Sequence, residues 1–290
     1  MEAFHIPVLG QAVLEYLAVR PDGIYLDATA GLGGHTLLIA RRLTTGFVIA
    51  NDRDPETLEL ARQKTAEFAG RIRFHHGRFS ELRSALRVHA VKQVDGLVCD
   101  LGVSTYQLTS PERGMSLFME GPLDFRMDRT SGLPASHLIN NLAEKALADL
   151  LYLQGEERRA RKIARAIVRA RPIRSTLHLA GVVERAVPRT GRLHPATLTF
   201  MALRLAINEE PEELERLLED APGMLKPGGR MVVISFMSLE DRKVKERFRE
   251  LARQGRAELL TRRPLTPSEE ETQRNPPSRS AKLRAIEMRG

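Results

Sequence analysis

The sequence predicts an α/β fold: a Rossmann-like domain with a seven-stranded sheet, interrupted by an inserted all-α domain. Three observations carry this. Residues 25–54, YLDATAGLGGHTLLIARRLTTGFVIANDRD, read as a strand end, glycine turn, helix and second strand, half of a nucleotide-binding unit. Asp27, Asp52, Phe79 and Asp100 fall at or just past the ends of four successive predicted strands. In open α/β sheets that rim is where ligands bind. After the fourth strand the β/α alternation stops, and it resumes only beyond a basic helical block.

Taken in order, Val13, Leu14 and Leu17 have the spacing of a short amphipathic helix. Ile24–Asp27 is the first strand, Gly31-Leu32-Gly33-Gly34 the turn, about 35–43 a helix, and Phe47–Ala50 the second strand, ending in Asn51-Asp52. Asp54-Pro55 opens the next helix, with proline at its first position. Ile72–His75 is the third strand, followed by Phe79 and a helix opened by Ser80-Glu81-Leu82. Val94–Asp100 is the fourth strand. Residues 105–135 are rich in turn formers and read as one long loop, a length that is usually functional or disordered. Helices are expected over 139–153, 156–171, 197–208 and 211–225. Lys226–Arg230 reads as a tight turn and 231–236 as the fifth strand. Ser238-Leu239-Glu240-Asp241 resembles a capping box for a helix to about 253. Residues 258–261 and 281–288 supply the last two strands, separated by a polar, proline-rich loop over 264–280. The domains are therefore placed at 1–108 with 199–290, and at 109–198.

Composition narrows the function classes. No apolar run reaches the ~18 residues of a membrane span, and no basic start precedes an apolar stretch, so the chain reads as cytoplasmic, with no membrane partner. The single cysteine, Cys99, lies in an apolar strand and reads as buried; it permits no intrachain disulfide. The net charge of +8 is segregated: residues 156–192 and 242–290 carry +8 and +7, the remainder −7. Such segregation is the footprint of a nucleic-acid binder. On the helix over 156–171, Arg158, Arg159, Arg161, Lys162, Arg165 and Arg169 lie opposite an apolar face of Ala160, Ile163, Ala164, Ile167 and Val168. Arg171, Arg174, Arg185, Arg189 and Arg192 continue the charge. Arg158, Arg161 and Arg165 are the candidate RNA contacts.

The glycine turn alone leaves the cofactor open. The phosphate-loop reading fails for want of Lys-Ser/Thr after the glycines. An NAD site remains an alternative, although position 36 is Thr rather than the third motif glycine. Asp52 is placed to accept both hydroxyls of a ribose. Asp27, at the end of the first strand, suits a cofactor bearing an ammonium and a sulfonium, which is S-adenosylmethionine (SAM). No cluster has metal-ligand spacing.

With those residues in view, the chain resembles the MraW/RsmH family over essentially its whole length. The matching blocks are His5-Ile-Pro-Val-Leu9, Asp27-Ala-Thr-Ala-Gly-Leu-Gly-Gly-His35, Asp52-Arg-Asp54, Asp100-Leu-Gly-Val-Ser104 with Gln107-Leu108, and Gly121-Pro-Leu-Asp-Phe-Arg-Met-Asp128. Further ones are Gly155-Glu-Glu-Arg158, His194-Pro-Ala-Thr197, Ser235-Phe-Met-Ser-Leu-Glu-Asp-Arg242 and Ser278-Arg-Ser-Ala-Lys-Leu-Arg284. The resemblance implies a class I SAM methyltransferase acting on the N4 amine of a decoding-centre (P-site) cytidine in 16S rRNA, with that rRNA or the small ribosomal subunit as partner. It implies SAM contacts at Gly33, Gly34, His35, Asp52, Phe79, Asp100 and Gln107. Met237 stands where the family usually has His, and Leu117 where it usually has Phe.

Cytosine N4 is a poor nucleophile because its lone pair is delocalised into the ring. An acceptor on the amine N–H and a stacked aromatic would help to localise it. Asp100 is the candidate catalytic acceptor. Many amino-methyltransferases place Pro-Pro-aromatic after the fourth strand, whereas here the sequence is Asp100-Leu-Gly-Val. The stacking ring must come from elsewhere, with Tyr106, Phe118, Phe125 and Phe236 as candidates. Asn275-Pro-Pro-Ser278 mimics the missing motif but reads as a loop.

Overall fold

The computed structural model describes residues 6–189, 191 and 193–290. His5 and Arg192, named above, lie outside them. In chain order the elements are α1 (Gly10–Leu17), β1 (Ile24–Asp27), α2 (Gly34–Ala40), β2 (Phe47–Asp52), α3 (Pro55–Lys64), β3 (Ile72–His76), α4 (Leu82–Val88) and β4 (Val94–Asp100). There follow α5 (Thr105–Thr109), α6 (Ala135–Asn141), α7 (Glu144–Gly155), α8 (Ala160–Arg169), α9 (Thr176–Ala186), α10 (Thr197–Asn208) and α11 (Glu210–Asp220). The chain closes with β5 (Leu225–Ser235), α12 (Ser238–Arg253), β6 (Ala257–Leu259), α13 (Glu269–Arg274) and β7 (Lys282–Met288).

The strands form the expected seven-stranded Rossmann-like sheet, in the order β3-β2-β1-β4-β5-β7-β6. β1 to β5 are parallel, and β7 is antiparallel to both neighbours. Alternation along each strand divides the side chains between two faces. Leu26, Ile49, Leu97, Cys99, Met231 and Val233 share one core with α4, α11 and α12. Tyr25, Val48, Ala50, Val98, Val232 and Ile234 share the other with α1, α2 and α3. Each fully buried Leu, Ile or Val contributes about 1.5–3 kcal/mol. Both faces are covered, so the strands read as continuous apolar runs.

The compact units are residues 1–102 with 212–290, and residues 103–211. The sequence placed the borders at 108/109 and 198/199. The earlier first border follows from Ser104, which caps α5 through a reciprocal pair with Gln107 and so opens the second unit. The core of that unit is built from Ile139, Leu147, Leu151, Ile163, Ile167, Leu179, Val183, Phe200 and Leu203.

Several local expectations are corrected. The expected helix over 139–153 is two helices, α6 and α7. The Arg171 guanidinium donates to the carbonyls of Ile139 (2.7 Å) and Leu142 (2.6 Å), taking up the end of α6. Arg171 is therefore a structural cap rather than a free phosphate ligand. Helix α9 was not foreseen; Ser175 caps it by accepting from the His178 N–H. The loops over 105–135 and 264–280 hold α5 and α13. Helix α12 is capped one residue earlier than the sequence suggested: Glu240 Oε2 accepts from the Phe236 (3.1 Å) and Met237 (3.0 Å) N–H groups. Asp241 instead forms a bidentate pair with Arg284 of β7, at 2.6 and 3.1 Å.

Candidate active site at the carboxyl rim of the sheet

β1, β2 and β4 end in acids, and their adjacency in the sheet brings Asp27, Asp52 and Asp100 to one rim. The glycine turn lies between β1 and α2. Gly33 has φ +85, the left-handed region, and a Cβ there would meet Thr65 Cγ2 at 3.0 Å. Glycine is required at this position on both counts. Gly34 is crowded from the other side, where an added Cβ would approach Pro7 Cβ to 3.2 Å.

Asp27 braces the turn from beneath. It is fully buried, and its oxygens accept from the Thr36 hydroxyl (2.7 Å) and the Thr29 N–H (3.1 Å). Burial pushes its carboxyl above the usual carboxylate range, against the lowering by His35, Thr36 and Thr29. Asp52 is partly exposed at its strand tip and holds the turn from the side, accepting from the Gly31 N–H at 2.7 Å and the Asp54 N–H at 2.9 Å. Desolvation outweighs those donors and raises its pKa to about 6. Each Asp52 oxygen still has acceptor capacity left. Asn51 ties the loops together, donating to the carbonyls of Ala28 and Gly77 while its own oxygen meets His75 Nδ1 at 2.9 Å. The Thr29 hydroxyl accepts from the Asp100 N–H at 2.6 Å, joining the ends of β1 and β4.

His35, in the first turn of α2, is buried, with Nε2 3.4 Å from Asp100 Oδ2. Burial opposes its protonation, but the Asp100, Asp27 and Glu271 carboxylates outweigh that and raise its pKa above the ordinary value. His35 Nδ1 and Asp100 Oδ1 are both buried with no hydrogen-bond partner among the described residues. Buried polar atoms are normally satisfied. Two such atoms on a contacting pair of residues at the rim mark a place where a polar ligand completes the network. Phe79 is half-buried in the 3-10 turn after β3 and packs on the core of one sheet face.

The structure thus brings Gly33, Gly34, His35, Asp52, Phe79 and Asp100 together in the sheet unit. Gln107 belongs to the second unit, where its Oε1 accepts from the Ser104 N–H at 2.9 Å. Thr29, Thr36 and Asn51 were not picked out by sequence reasoning. Their signal was polarity within an otherwise apolar strand-and-turn segment. Cys99 is buried, and burial pushes its thiol well above its usual pKa, so it carries no nucleophile. Glu271 Oε1 accepts from the Leu9 N–H at 2.6 Å, and Asn275 Nδ2 donates to the Ile6 carbonyl at 3.0 Å. The Asn-Pro-Pro-Ser segment therefore holds the residues beside Pro7.

The model of the MraW methylase family matches residues 2–289. The chain belongs to this family. A ribosomal RNA small subunit methyltransferase H of Solibacter usitatus (strain Ellin6076) is 65% identical over 285 residues, covering 98% of this chain and 100% of its own. The protein of that name from Acidobacterium capsulatum is 50% identical over 295 residues, covering 98% of each chain. That of Koribacter versatilis (strain Ellin345) is 48% identical over 293 residues, covering 97% of this chain and 93% of its own. Among the described residues no helix is long and apolar enough to cross a membrane.

In the second unit, Arg158, Arg161, Lys162, Arg165 and Arg169 are exposed, while Ala160, Ile163, Ala164 and Ile167 are buried, as the sequence periodicity requires. Arg158 precedes α8 rather than lying on it, and Arg165 pairs with Glu144 at 3.3 Å. Arg159 departs from the expected solvated face. It pairs with the buried Glu157 at 3.2 Å and donates to the Pro188 carbonyl.

Proposed function

We propose that this protein transfers a methyl group from SAM to the exocyclic N4 amine of the P-site cytidine in 16S rRNA. The observation that carries the reading is the pair of unpartnered buried atoms, His35 Nδ1 and Asp100 Oδ1, beside a glycine turn and a second-strand acid in a chain of a methylase family. The names of the close relatives support small-subunit rRNA as the substrate; the N4 position rests on the family resemblance.

The residues present fit SAM. Asp52 has remaining acceptor capacity for ribose hydroxyls, and His35 Nδ1 is buried without a partner beside the glycine turn. Held by Asp52 and the glycine turn, SAM would supply an electrophilic methyl carbon on a sulfonium, and the C–S electron pair would return to sulfur as the methyl passes to the amine. The chain contributes alignment and exclusion of water. Asp100 accepts an amine N–H, concentrating the lone pair on nitrogen. The attacking amine is neutral, so its proton leaves after attack, to a carboxylate or to water. Phe79 would lie against the adenine ring.

The decisive experiment incubates the protein with tritiated SAM and small subunits from a strain lacking the modification, then maps the labelled nucleotide by mass spectrometry. Label on N4 of the decoding-centre cytidine is expected. Unlabelled rRNA overturns the reading.

The raised pKa of Asp52 sets a pH dependence. Above about pH 6 the carboxylate is ionised and both oxygens accept; below it, a proton occupies one of them. SAM affinity should therefore be flat above neutrality and fall below about pH 6, by at most about tenfold per unit. Asp52→Asn should bind weakly at every pH and lose the slope. Calorimetry across this range checks it, and a flat wild-type profile would discard the role.

The exposed cations Arg158, Arg161 and Arg165 are assigned to rRNA phosphates. Neutralising all three with glutamine should weaken rRNA binding and reduce the slope of log affinity against log salt by about 2–3. SAM affinity should stay unchanged. A parallel loss of SAM binding would make this segment structural.

A further inference from the structure

The four aromatic residues considered as base-stacking partners have very different surroundings. Phe125 is 1% exposed and packs on Phe200 with ring centroids 5.3 Å apart. Phe236 packs against one core of the sheet, and Tyr106 is half-buried in α5. Phe118 is 75% exposed. Its nearest ring is His194, with centroids 5.9 Å apart at an interplanar angle of 73°. That edge-on support leaves Phe118 ring surface open to solvent.

A solitary exposed phenylalanine is ordinary. This one is held in place. The Phe118 N–H donates to Ser116 Oγ at 3.2 Å. The next residue, Met119, accepts from the Thr176 hydroxyl at 2.5 Å, at the start of α9. His194 Nδ1 accepts from the Ala196 N–H at 3.2 Å, and its Nε2 lies 3.7 Å from Glu184, near the end of α9. The ring and its support are thus tied to the two ends of one helix. Exposed Arg174 precedes the first tie, and exposed Arg185 follows Glu184. An open aromatic face tied to a helix whose ends carry exposed cations has the make-up of a site for single-stranded nucleic acid, in which a base stacks on the ring and neighbouring phosphates meet arginines.

We propose that Phe118, propped by His194, stacks on an unpaired base of the RNA substrate, with Arg174 and Arg185 taking the adjoining phosphates. This rests on the rRNA reading above and adds a contact that specifies single-stranded RNA.

The chain has no tryptophan. Phe118→Trp therefore installs a single indole reporter at the site. Its emission should be quenched by a single-stranded RNA oligonucleotide and unaffected by a duplex of the same length, with binding followed in parallel by the anisotropy of dye-labelled RNA. Phe118→Ala should bind the single strand about tenfold more weakly, within the range that stacking one base on an aromatic supplies. Phe118→Tyr should restore binding, and SAM affinity should be the same in all three variants. Bound RNA without quenching, equal quenching by the duplex, or wild-type affinity in Phe118→Ala each overturns the proposal. So does a loss confined to assembled subunits and absent with free RNA, which would place a ribosomal protein on the ring. If the wild-type protein neither binds RNA nor methylates small subunits, the rRNA reading itself fails. If it methylates them and Phe118→Ala binds RNA equally well, only the stacking contact fails.

Discussion

Asp100→Asn is expected to bind SAM within about threefold of the wild type and to lose turnover by about 10²-fold or more, the effect of removing one preorganised polar group from a reacting centre. The Asp100 backbone N–H, not its side chain, bonds Thr29, so the substitution leaves the junction between β1 and β4 intact. What changes is the carboxylate beside His35. Asparagine presents an amide N–H where a free carboxylate oxygen stood, and it removes the negative charge that holds the His35 pKa up. Single-turnover methylation and calorimetry separate the two outcomes. Loss of SAM binding in step with turnover would assign Asp100 to cofactor contact alone.

Asp241→Ala is expected to cost about 3–5 kcal/mol of stability, because it strands the Arg284 guanidinium inside the sheet domain. Arg284 lies on β7 opposite Val233, and both members of the pair are almost fully buried. Lys282, 3.8 Å from Asp241, adds a second cation that would lose its partner. Replacing both residues with apolar ones of similar size, Asp241→Leu with Arg284→Met, should recover most of the loss. Chemical denaturation of the three variants checks this. A loss under about 1 kcal/mol in the single variant would show that water reaches the site.

Much of the sheet was readable because its signals are local. Apolar runs ending in acids marked β1, β2 and β4, and Gly33 needs its left-handed backbone whatever surrounds it. Asp54, by contrast, fixed the start of α3 through its own side chain, accepting from Glu56 and Thr57. What escaped was set at long range. The break between α6 and α7 carries no glycine or proline, because its cap is Arg171, about thirty residues downstream. Equally, Arg159 and Arg171 look like their solvated neighbours in sequence, and only the fold shows that both are engaged in holding the second unit together. At the candidate site, the sequence identified the acids but not their division of labour. Asp27 is sealed beneath the turn while Asp52 and Asp100 keep exposure, a difference decided by which polar groups the adjacent loops deliver.

The strand order has a consequence for biosynthesis. β4 pairs with β1 on one side and β5 on the other, yet β5 is encoded after the whole unit spanning residues 103–211. At ribosomal elongation rates of about 5–20 residues per second, roughly 6–25 s separate the emergence of β4 from that of its second neighbour. Throughout that interval the nascent sheet presents an open, apolar parallel edge, the kind of surface that invites pairing with another chain. Completion of this fold therefore depends on the inserted unit collapsing quickly on its own core, so that β5 arrives beside β4 before a competing strand does.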